Sequence, residues 1–218
     1  MTYRSKQDFV YTTLRQKILT GELPPGSRLV IGDLATVLGV SHIPVREALQ
    51  RLSADGYAVT RPYLGTHVTE LKAESVRELF QVMAALELIS VRLALPRFGA
   101  EEVSALEQRL RAMDGLVADP DAWSHANIAL HVWLCEKADA ALVMSLLTRA
   151  FDHWDRLRRF YFAPVFQKRI GAAQREHWLM FEAFKAGDAE KLVAAVHTHN
   201  EAATRAYIEH LERVLVYG

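Results

Sequence analysis

Cysteine is nearly absent from this chain, since Cys135 is the only one among 218 residues. An internal disulfide is therefore excluded, and a lone thiol in an apolar helical setting is typical of a small buried side chain rather than a nucleophile. Long apolar runs are missing as well. Stretches such as 83–86 and 138–144 are interrupted by charge far short of the roughly eighteen residues of a membrane span, so we expect no transmembrane helix. Residues 1–9 lack the apolar core of a secretory signal, and we expect a cytoplasmic protein.

An excess of charge of either sign is also lacking. The chain carries 26 Lys and Arg against 26 Asp and Glu, so its net charge alone points to no partner. Half of the residues are apolar and 24% are charged, which is typical of an ordinary soluble globular protein. A chain of this length can bury the core of one large domain or of two modest ones.

The signatures of common enzyme chemistry are missing too. There is no His-Glu-x-x-His run of a metalloprotease, and we find no Ser or Cys nucleophile beside a suitably placed base. Glu176 precedes His177, but adjacent side chains on a helix point about 100° apart and do not serve one reacting group. We therefore expect a protein that is not an enzyme.

Glycine and proline, by contrast, are concentrated in the first third of the chain. They divide it into short elements at Gly21, Pro24, Pro25, Gly26, Gly32, Gly39, Pro44, Gly56, Pro62 and Gly65. From Leu71 onward the sequence has the pattern of long amphipathic helices, without a convincing alternating strand. We predict a mainly α protein of two domains, residues 1–70 and 71–218, with the boundary near 69–72.

The first region has the spacing of a helix-turn-helix. Apolar residues at helical spacing predict a first helix that ends at Gly21 and a second helix over 31–38. A third helix follows the turn at Gly39, with Ser41 as its N-cap. The core stripe of this third helix consists of Val45, Ala48, Leu49 and Leu52.

Two β-prone segments come after the third helix. Residues 57–61 and 66–70 are joined by 62–65, which predicts a two-stranded wing. Residues 1–70 contain eight Lys and Arg against six Asp and Glu, a charge of +2 that the rest of the balanced chain offsets. This weak asymmetry has the sign expected of a DNA-binding domain. A protein-interaction module is the alternative, because winged helices also mediate protein contacts.

If the core stripe faces inward, the start of the third helix projects outward. The outward positions are Ser41, His42, Ile43, Arg46 and Gln50. Such positions enter the major groove of double-stranded DNA in helix-turn-helix proteins. Arg46 can bridge the acceptors of guanine or bind a phosphate, and Gln50 can pair with adenine.

Residues 14–29 and 34–49, together with a later Arg-Pro pair, resemble the DNA-binding domain of the GntR family of bacterial transcription regulators. The similarity covers nearly all of residues 10–69. It implies a winged helix-turn-helix that binds an inverted-repeat operator as a homodimer. Repression is the commoner outcome in that family, and we expect a repressor.

The GntR resemblance also implies roles for individual residues. Arg46 and the helix around it would contact the operator, and Gly65 would let the wing tip approach the minor groove. The family usually has Arg where this chain has His42, so the operator sequence does not carry over from relatives. A histidine can still donate to a base edge, and its partial protonation would make binding mildly sensitive to pH.

The second region resembles the FCD domain, the helical ligand-binding bundle of one large GntR subfamily. The similarity spans about 73 to 215 and is carried by residues 79–87, 127–131 and 176–188 and by His199. It implies an all-helical bundle of about six helices that binds a small effector.

Three histidines of this region fall on apolar faces of separate helices. Asn127 and His131 are four residues apart and therefore share one face, while His177 and His199 lie on the apolar stripes of two further helices. Burying three imidazoles is costly unless something satisfies their nitrogens, and a divalent metal does so. We interpret four other histidines as hydrogen-bonded core residues: His125, His153, His197 and His210.

The FCD resemblance implies the same site, a metal ion held by Asn127, His131, His177 and His199 that helps to bind a small carboxylate effector. We expect zinc or nickel. Asn127 stands where relatives commonly have Asp, and a neutral amide oxygen is a weaker ligand than a carboxylate. Met83 stands where relatives often have an effector-binding Arg, which favours a less charged effector over a simple dicarboxylate.

These patterns predict a homodimeric, DNA-binding repressor whose operator affinity is controlled by a small organic acid bound at the metal site. Two alternatives stay open. One is a metal-sensing repressor in which the ion itself is the signal. The other is a metal-dependent hydrolase fused to a DNA-binding domain, since an open three-histidine site can activate water.

Overall fold

The computed structural model describes residues 5–70 and 73–217. The chain divides into two compact units, Met1–Lys72 and Ala73–Gly218. Both are built mainly of helices, with one small two-stranded sheet in the first, so the predicted mainly α class is confirmed. The junction that the sequence places near Leu71 lies outside the described residues.

Three helices and a hairpin form the N-terminal unit, in the predicted order. The elements are α1 (Lys6–Thr20), α2 (Ile31–Leu38), α3 (His42–Ala54), β1 (Ala58–Arg61) and β2 (Gly65–Val68). Helix α1 begins where the hydroxyl of Ser5 accepts a hydrogen bond from the Asp8 N–H at 3.0 Å. It ends at Gly21, which adopts a left-handed φ of 85°. Ser41 holds the N-cap position of α3, but its side chain makes no capping hydrogen bond.

The core of this unit lies between α1 and α3. Helix α1 contributes Val10, Leu14 and Ile18, which are fully buried. The predicted stripe of α3 is buried as well, at Val45, Ala48, Leu49 and Leu52. Burial of each large aliphatic side chain stabilises the unit by about 1.5–3 kcal/mol, which fixes the face that α3 turns outward.

The wing is an antiparallel hairpin. Its register pairs Ala58 with Val68, Val59 with His67, Thr60 with Thr66 and Arg61 with Gly65. The second strand is therefore shifted toward the turn relative to the predicted 66–70, because Gly65 already takes part in the ladder. Arg28 forms an isolated antiparallel bridge with His67, so the segment before α2 supports the wing from its other side.

Six helices make up the described part of the C-terminal unit, as the resemblance implied. They are α4 (Ala73–Ala94), α5 (Ala100–Asp114), α6 (Pro120–Ala138), α7 (Ala141–Leu157), α8 (Ala163–Ala186) and α9 (Ala189–Tyr217). A 3₁₀ turn at Leu95–Arg97 follows α4, and a π-helical segment at Arg158–Phe162 joins α7 to α8. Helix α6 is capped by Asp119, and α8 ends at Gly187 with a left-handed φ of 64°.

Aromatic side chains hold three of these helices together. Helix α4 packs against α6, α7 and α9, and α8 packs along α9. Phe80 of α4 stacks on Tyr207 of α9 with ring centroids 5.2 Å apart and meets Trp154 of α7 edge-on at 5.2 Å. Trp154 and Tyr207 are 4.6 Å apart. This aromatic cluster forms part of the wall of a small cavity inside the bundle.

Helix α4 is unusually apolar. By length and composition alone, residues Ser75–Arg97 could cross a membrane, with a mean hydropathy of 1.6 in the most apolar window. This is weak evidence for a membrane span, because the core helix of a soluble bundle passes the same test. Helix α4 buries Val76, Phe80 and Met83 within its unit. It also exposes three large apolar side chains, Val82, Ile89 and Leu93.

The turn between α2 and α3 provides a test of this fold. Gly39 has a φ of 65°, and a Cβ there would meet no atom within 4 Å. Gly39→Ala is therefore expected to lower the free energy of unfolding by about 1–2 kcal/mol through backbone strain alone. Gly32 of α2 has equal space but ordinary helical backbone, so Gly32→Ala is the control and should be neutral or stabilising by up to about 1 kcal/mol. Equal effects of the two variants in urea denaturation would contradict this account.

Candidate functional site

Three helices of the C-terminal unit bring their histidines together. His131 of α6, His177 of α8 and His199 of α9 are all buried, with exposed fractions of 5%, 2% and 8%. One ligand nitrogen of each ring lies within 4.8 Å of the others. The closest pair of rings is His177 and His199, with centroids 4.8 Å apart. The structure thus assembles the trio that the sequence predicts from three separate apolar stripes.

Two of the rings are oriented by carboxylates, of which Glu87 is buried and Glu176 is partly buried. Glu176 Oε2 lies 2.8 Å from His199 Nδ1, and Glu87 Oε1 lies 3.3 Å from His131 Nδ1. An ionised carboxylate only accepts hydrogen bonds, so each partner favours the tautomer with a proton on Nδ1 and a lone pair on Nε2. This is the arrangement found behind metal-ligating histidines in general.

The two carboxylates are themselves held in place. Arg169 donates to both oxygens of Glu176, at 3.0 and 2.5 Å, and the Asn200 amide donates to Glu87 Oε2 at 2.8 Å. Burial alone would raise the pKa of Glu176, but its hydrogen bonds with His199 and Arg169 outweigh this and lower the pKa below its usual value. Glu176 is therefore charged at neutral pH.

His177 differs from its two neighbours because neither of its nitrogens has a hydrogen-bond partner among the described residues. Burial lowers the pKa of His177 well below the ordinary value, and the nearby His199 and His131 lower it further, so the ring is neutral. Asn127, on the same face of α6 as His131, has a buried side-chain oxygen that is also unsatisfied. Each buried polar atom without a partner lowers the stability of the fold by about 1–3 kcal/mol unless a ligand or ion satisfies it.

The residues present fit a divalent metal ion. Three imidazole nitrogens and one amide oxygen form a donor set suited to zinc or nickel. Nitrogen ligands about 2.1 Å from one tetrahedral ion lie about 3.4 Å apart, so the histidine nitrogens, within 4.8 Å of one another, can converge on one ion after side-chain shifts of up to about 1 Å. Such an ion would provide a partner for Asn127 Oδ1 and for one of the two unsatisfied nitrogens of His177.

A small cavity of about 50 Å³ lies beside the histidines. Its walls are mostly aromatic and apolar, including Phe80, Met83, Trp123, Phe151, Trp154, Phe166 and Tyr207. Arg169 is the only Lys or Arg among the described residues that line it. A cavity of this size has room for an ion and a group of about three atoms, such as a carboxylate.

Spacing within single helices does not identify the groups that orient the histidines. Glu87 carries a signal, since it is the charged residue on the largely apolar buried face of α4. Glu176 is adjacent in sequence to His177, but it contacts His199 of the neighbouring helix α9. The interpretation of the remaining histidines as core residues is wrong for His125 and His197, which are exposed because they lie on the outer faces of α6 and α9.

In the N-terminal unit, the predicted DNA-contacting residues share an exposed surface. Ser41, His42, Ile43, Arg46 and Gln50 are all exposed at the start of α3. Ile43 is 69% exposed, which is unusual for an isoleucine and suits contact with the methyl group of thymine. At the wing, Gly65 has a φ of 89°, and a Cβ there would lie 3.6 Å from Arg28 Nε. Arg28 is therefore a cation at the wing that the sequence did not single out.

The geometry of both units agrees with comparisons to known proteins. Residues 6–68 match the gntR family of bacterial regulatory proteins, and residues 78–212 match the FCD domain. The chain belongs to the GntR family and carries an FCD domain. The predicted family is thereby confirmed for both halves of the chain.

Similar proteins are also transcription regulators. The chain is 28% identical over 215 residues to an HTH-type transcriptional regulator of an unstable DNA locus in Streptomyces ambofaciens, covering 99% of this chain and 89% of that protein. It is 28% identical over 213 residues to the regulator YdhC of Bacillus subtilis, covering 95% and 92%. This GntR-family chain is therefore a DNA-binding transcription regulator, and the prediction that it is not an enzyme is confirmed.

Solved structures show the same fold. E. coli McbR/YncC superposes with a TM-score of 0.76 at 20% identity, covering 97% of this chain and 100% of that one. A GntR regulator from Rhodococcus sp. RHA1 gives a TM-score of 0.71 at 24% identity, covering 93% and 97%. At these identities the likeness concerns the fold alone.

The exposed face of α3 leads to a first test of the site. Arg46→Ala is expected to weaken operator binding by about 1–3 kcal/mol, because a guanidinium loses its base or phosphate contacts. Arg111→Ala removes the same charge from an exposed position on α5 and should leave the affinity unchanged. Gel-shift titration at fixed salt measures both, and equal affinity of Arg46→Ala and the wild type would remove Arg46 from the interface.

The histidine trio leads to a second test. Protein purified without a histidine tag is expected to contain close to one zinc or nickel ion per chain by elemental analysis. His177→Ala should lose most of it, because that ring supplies a ligand and has no other partner. His125→Ala, which changes an exposed histidine of α6, is the control and should keep its metal. If the wild-type protein contains no metal and is as stable as the metal-loaded protein, the three histidines have a purely structural role.

Proposed function

We propose that this regulator represses transcription by binding an inverted-repeat operator as a homodimer, and that a small organic acid controls its affinity for DNA. The acid binds in the helical bundle at a divalent metal held by Asn127, His131, His177 and His199. The observation that carries this proposal is the pair of unsatisfied nitrogens on His177, buried beside two histidines already oriented by carboxylates.

The DNA-binding part of the proposal rests on the winged helix-turn-helix. Its recognition helix α3 has one buried face and one exposed face, and the exposed face carries Arg46 and Gln50. Two such helices related by a two-fold axis require two half-sites related by the same symmetry. An inverted repeat is the DNA sequence that provides this.

Exposed apolar residues support a homodimer. Helices α4 and α7 pack together, and both carry large apolar side chains that no described residue covers. On α4 these are Val82, Ile89 and Leu93, and on α7 they are Leu142 and Leu146. A second copy of the chain would bury these residues, as a soluble protein rarely leaves a large apolar patch exposed to water.

The effector part of the proposal rests on the donor set and its surroundings. Three histidines and one amide occupy four positions of the ion, so a further ligand would bind by raising its coordination number to five or six. All four donors are neutral, so the ion keeps its full charge and attracts an anion. A carboxylate is the anion that such a site binds most directly.

The size of the cavity favours a second candidate, the metal sensor. At about 50 Å³ it has little space beyond the ion itself, so the ion could be the signal. The two candidates differ in what releases DNA. A chelator changes the operator affinity of a metal sensor directly, whereas an effector-controlled regulator keeps its metal and responds to an organic acid.

Thermal shift and DNA titration test the proposal together. Metal-loaded protein is expected to melt at a higher temperature with the correct acid, because that ligand binds the folded state. The same acid should bind more weakly in the presence of operator by the factor through which it weakens DNA binding, about 5- to 150-fold. His177→Ala should lose both effects and His125→Ala should keep them. An acid that binds the bundle with equal affinity in the presence and in the absence of operator is not the effector.

A further inference from the structure

We propose that the ligand of the bundle is a monocarboxylate with an apolar tail, whose tail lies in the groove between α4 and α9. This inference rests on the proposed function and specifies its ligand. Three observations carry it: the charge of the site, the chemistry of the cavity walls and the position of a second, larger pocket.

The charges around the histidines favour one negative charge on the ligand. A divalent ion and Arg169 bring three positive charges, and Glu87 and Glu176 bring two negative ones. The four ligands His131, His177, His199 and Asn127 add none. One positive charge is left over in a buried site. A monocarboxylate neutralises it, whereas a dicarboxylate would leave a buried negative charge, which is costly.

The cavity has no unpaired cation for a second carboxylate. Arg169 is the only Lys or Arg among the described residues that line it, and its charge is already paired with Glu176 through Nη1 and Nη2, which leaves the Nε–H as its one donor without a partner. The side chain of Met83, 5% exposed, lines the cavity from α4 with a thioether. Beyond the ion, a ligand therefore meets aromatic rings and a thioether, which stabilise apolar groups and leave charged ones unpaired.

The cavity is too small for more than the head of such a ligand. At about 50 Å³ it can hold a carboxylate but not a tail. Phe80 and Asn200 line this cavity and also a groove of about 720 Å³ between α4 and α9. These two side chains therefore form the wall between the two spaces, and a ligand longer than acetate has its nearest free space on the other side of that wall.

The groove suits an apolar chain. Its floor includes Ala84, Ala85, Leu88, Val196 and Ile208. Charged residues of both signs line the exposed rim of the groove, and Arg77 and Glu212 among them are 3.9 Å apart. The volume is within the range of ordinary small-molecule pockets, about 300–1,000 Å³. A tail that passes Phe80 would be buried against α4 and α9.

A pair of acids of equal length tests the charge argument. The full chain, loaded with one equivalent of zinc, is titrated by calorimetry with hexanoate and with adipate, which differ in a second carboxylate at the far end. We expect hexanoate to bind at least tenfold more tightly. Adipate binding as tightly as hexanoate, or more tightly, would overturn the proposal.

A series of straight-chain acids tests the groove. From acetate through butyrate and hexanoate to octanoate, affinity should rise by up to about fourfold per methylene, the value for complete burial of one CH₂. Ala84→Phe fills the groove from a position that does not line the cavity, so it should weaken octanoate at least tenfold and leave acetate unchanged. Ala112→Phe, at an exposed position of α5, is the matched control and should bind all four acids like the wild type.

The failures of the two proposals are distinguishable. If zinc binds and dicarboxylates or hydroxylated acids are preferred, or if Ala84→Phe affects acetate and octanoate alike, the tail and its groove are wrong while the effector site stands. If no zinc binds, or if no acid binds the zinc-loaded protein, the effector site itself is wrong and this inference falls with it.

Discussion

The burial of three imidazole rings in one helical bundle is the constraint on which the rest of the C-terminal unit depends. Burial of an imidazole disfavours its charged form, and its nitrogens need partners once water is removed. Glu87 and Glu176 face Nδ1 of His131 and His199, whereas both nitrogens of His177 lack a partner among the described residues. Two rings are therefore oriented by carboxylates and the third is not, an arrangement that supports the proposal of a metal ion among them.

The need of the buried histidines for hydrogen-bond partners also links the helices. Glu87 of α4 receives a hydrogen bond from Asn200 of α9 and faces His131 of α6. Arg169 and Glu176 of α8 reach His199 of α9. A ligand that changes any of these contacts acts on four helices at once, because buried polar groups tolerate few alternative partners. Such coupling is what a ligand-controlled regulator requires of its sensing unit.

Most of the DNA-binding unit could be predicted from sequence because its determinants are local. Gly21 and Gly39 end helices, and the apolar spacing of α3 alone fixes which side chains are buried and which are exposed. The histidines were predicted for the same reason, as each lies on an apolar stripe. Glu87, Arg169 and Asn200 were not, because their roles depend on helix pairs far apart in sequence. The wall of Phe80 and Asn200 is likewise a tertiary feature that no spacing within one helix indicates.

X-ray absorption at the metal edge tests the central claim most directly, because it reports the ligands of the ion without a variant or an assay of function. For protein purified without a tag, the account predicts nitrogen and oxygen ligands at about 2.0–2.2 Å, with the multiple-scattering pattern of three imidazoles. A sulfur ligand at about 2.3 Å, the mark of Cys135, or fewer than two imidazoles would contradict it.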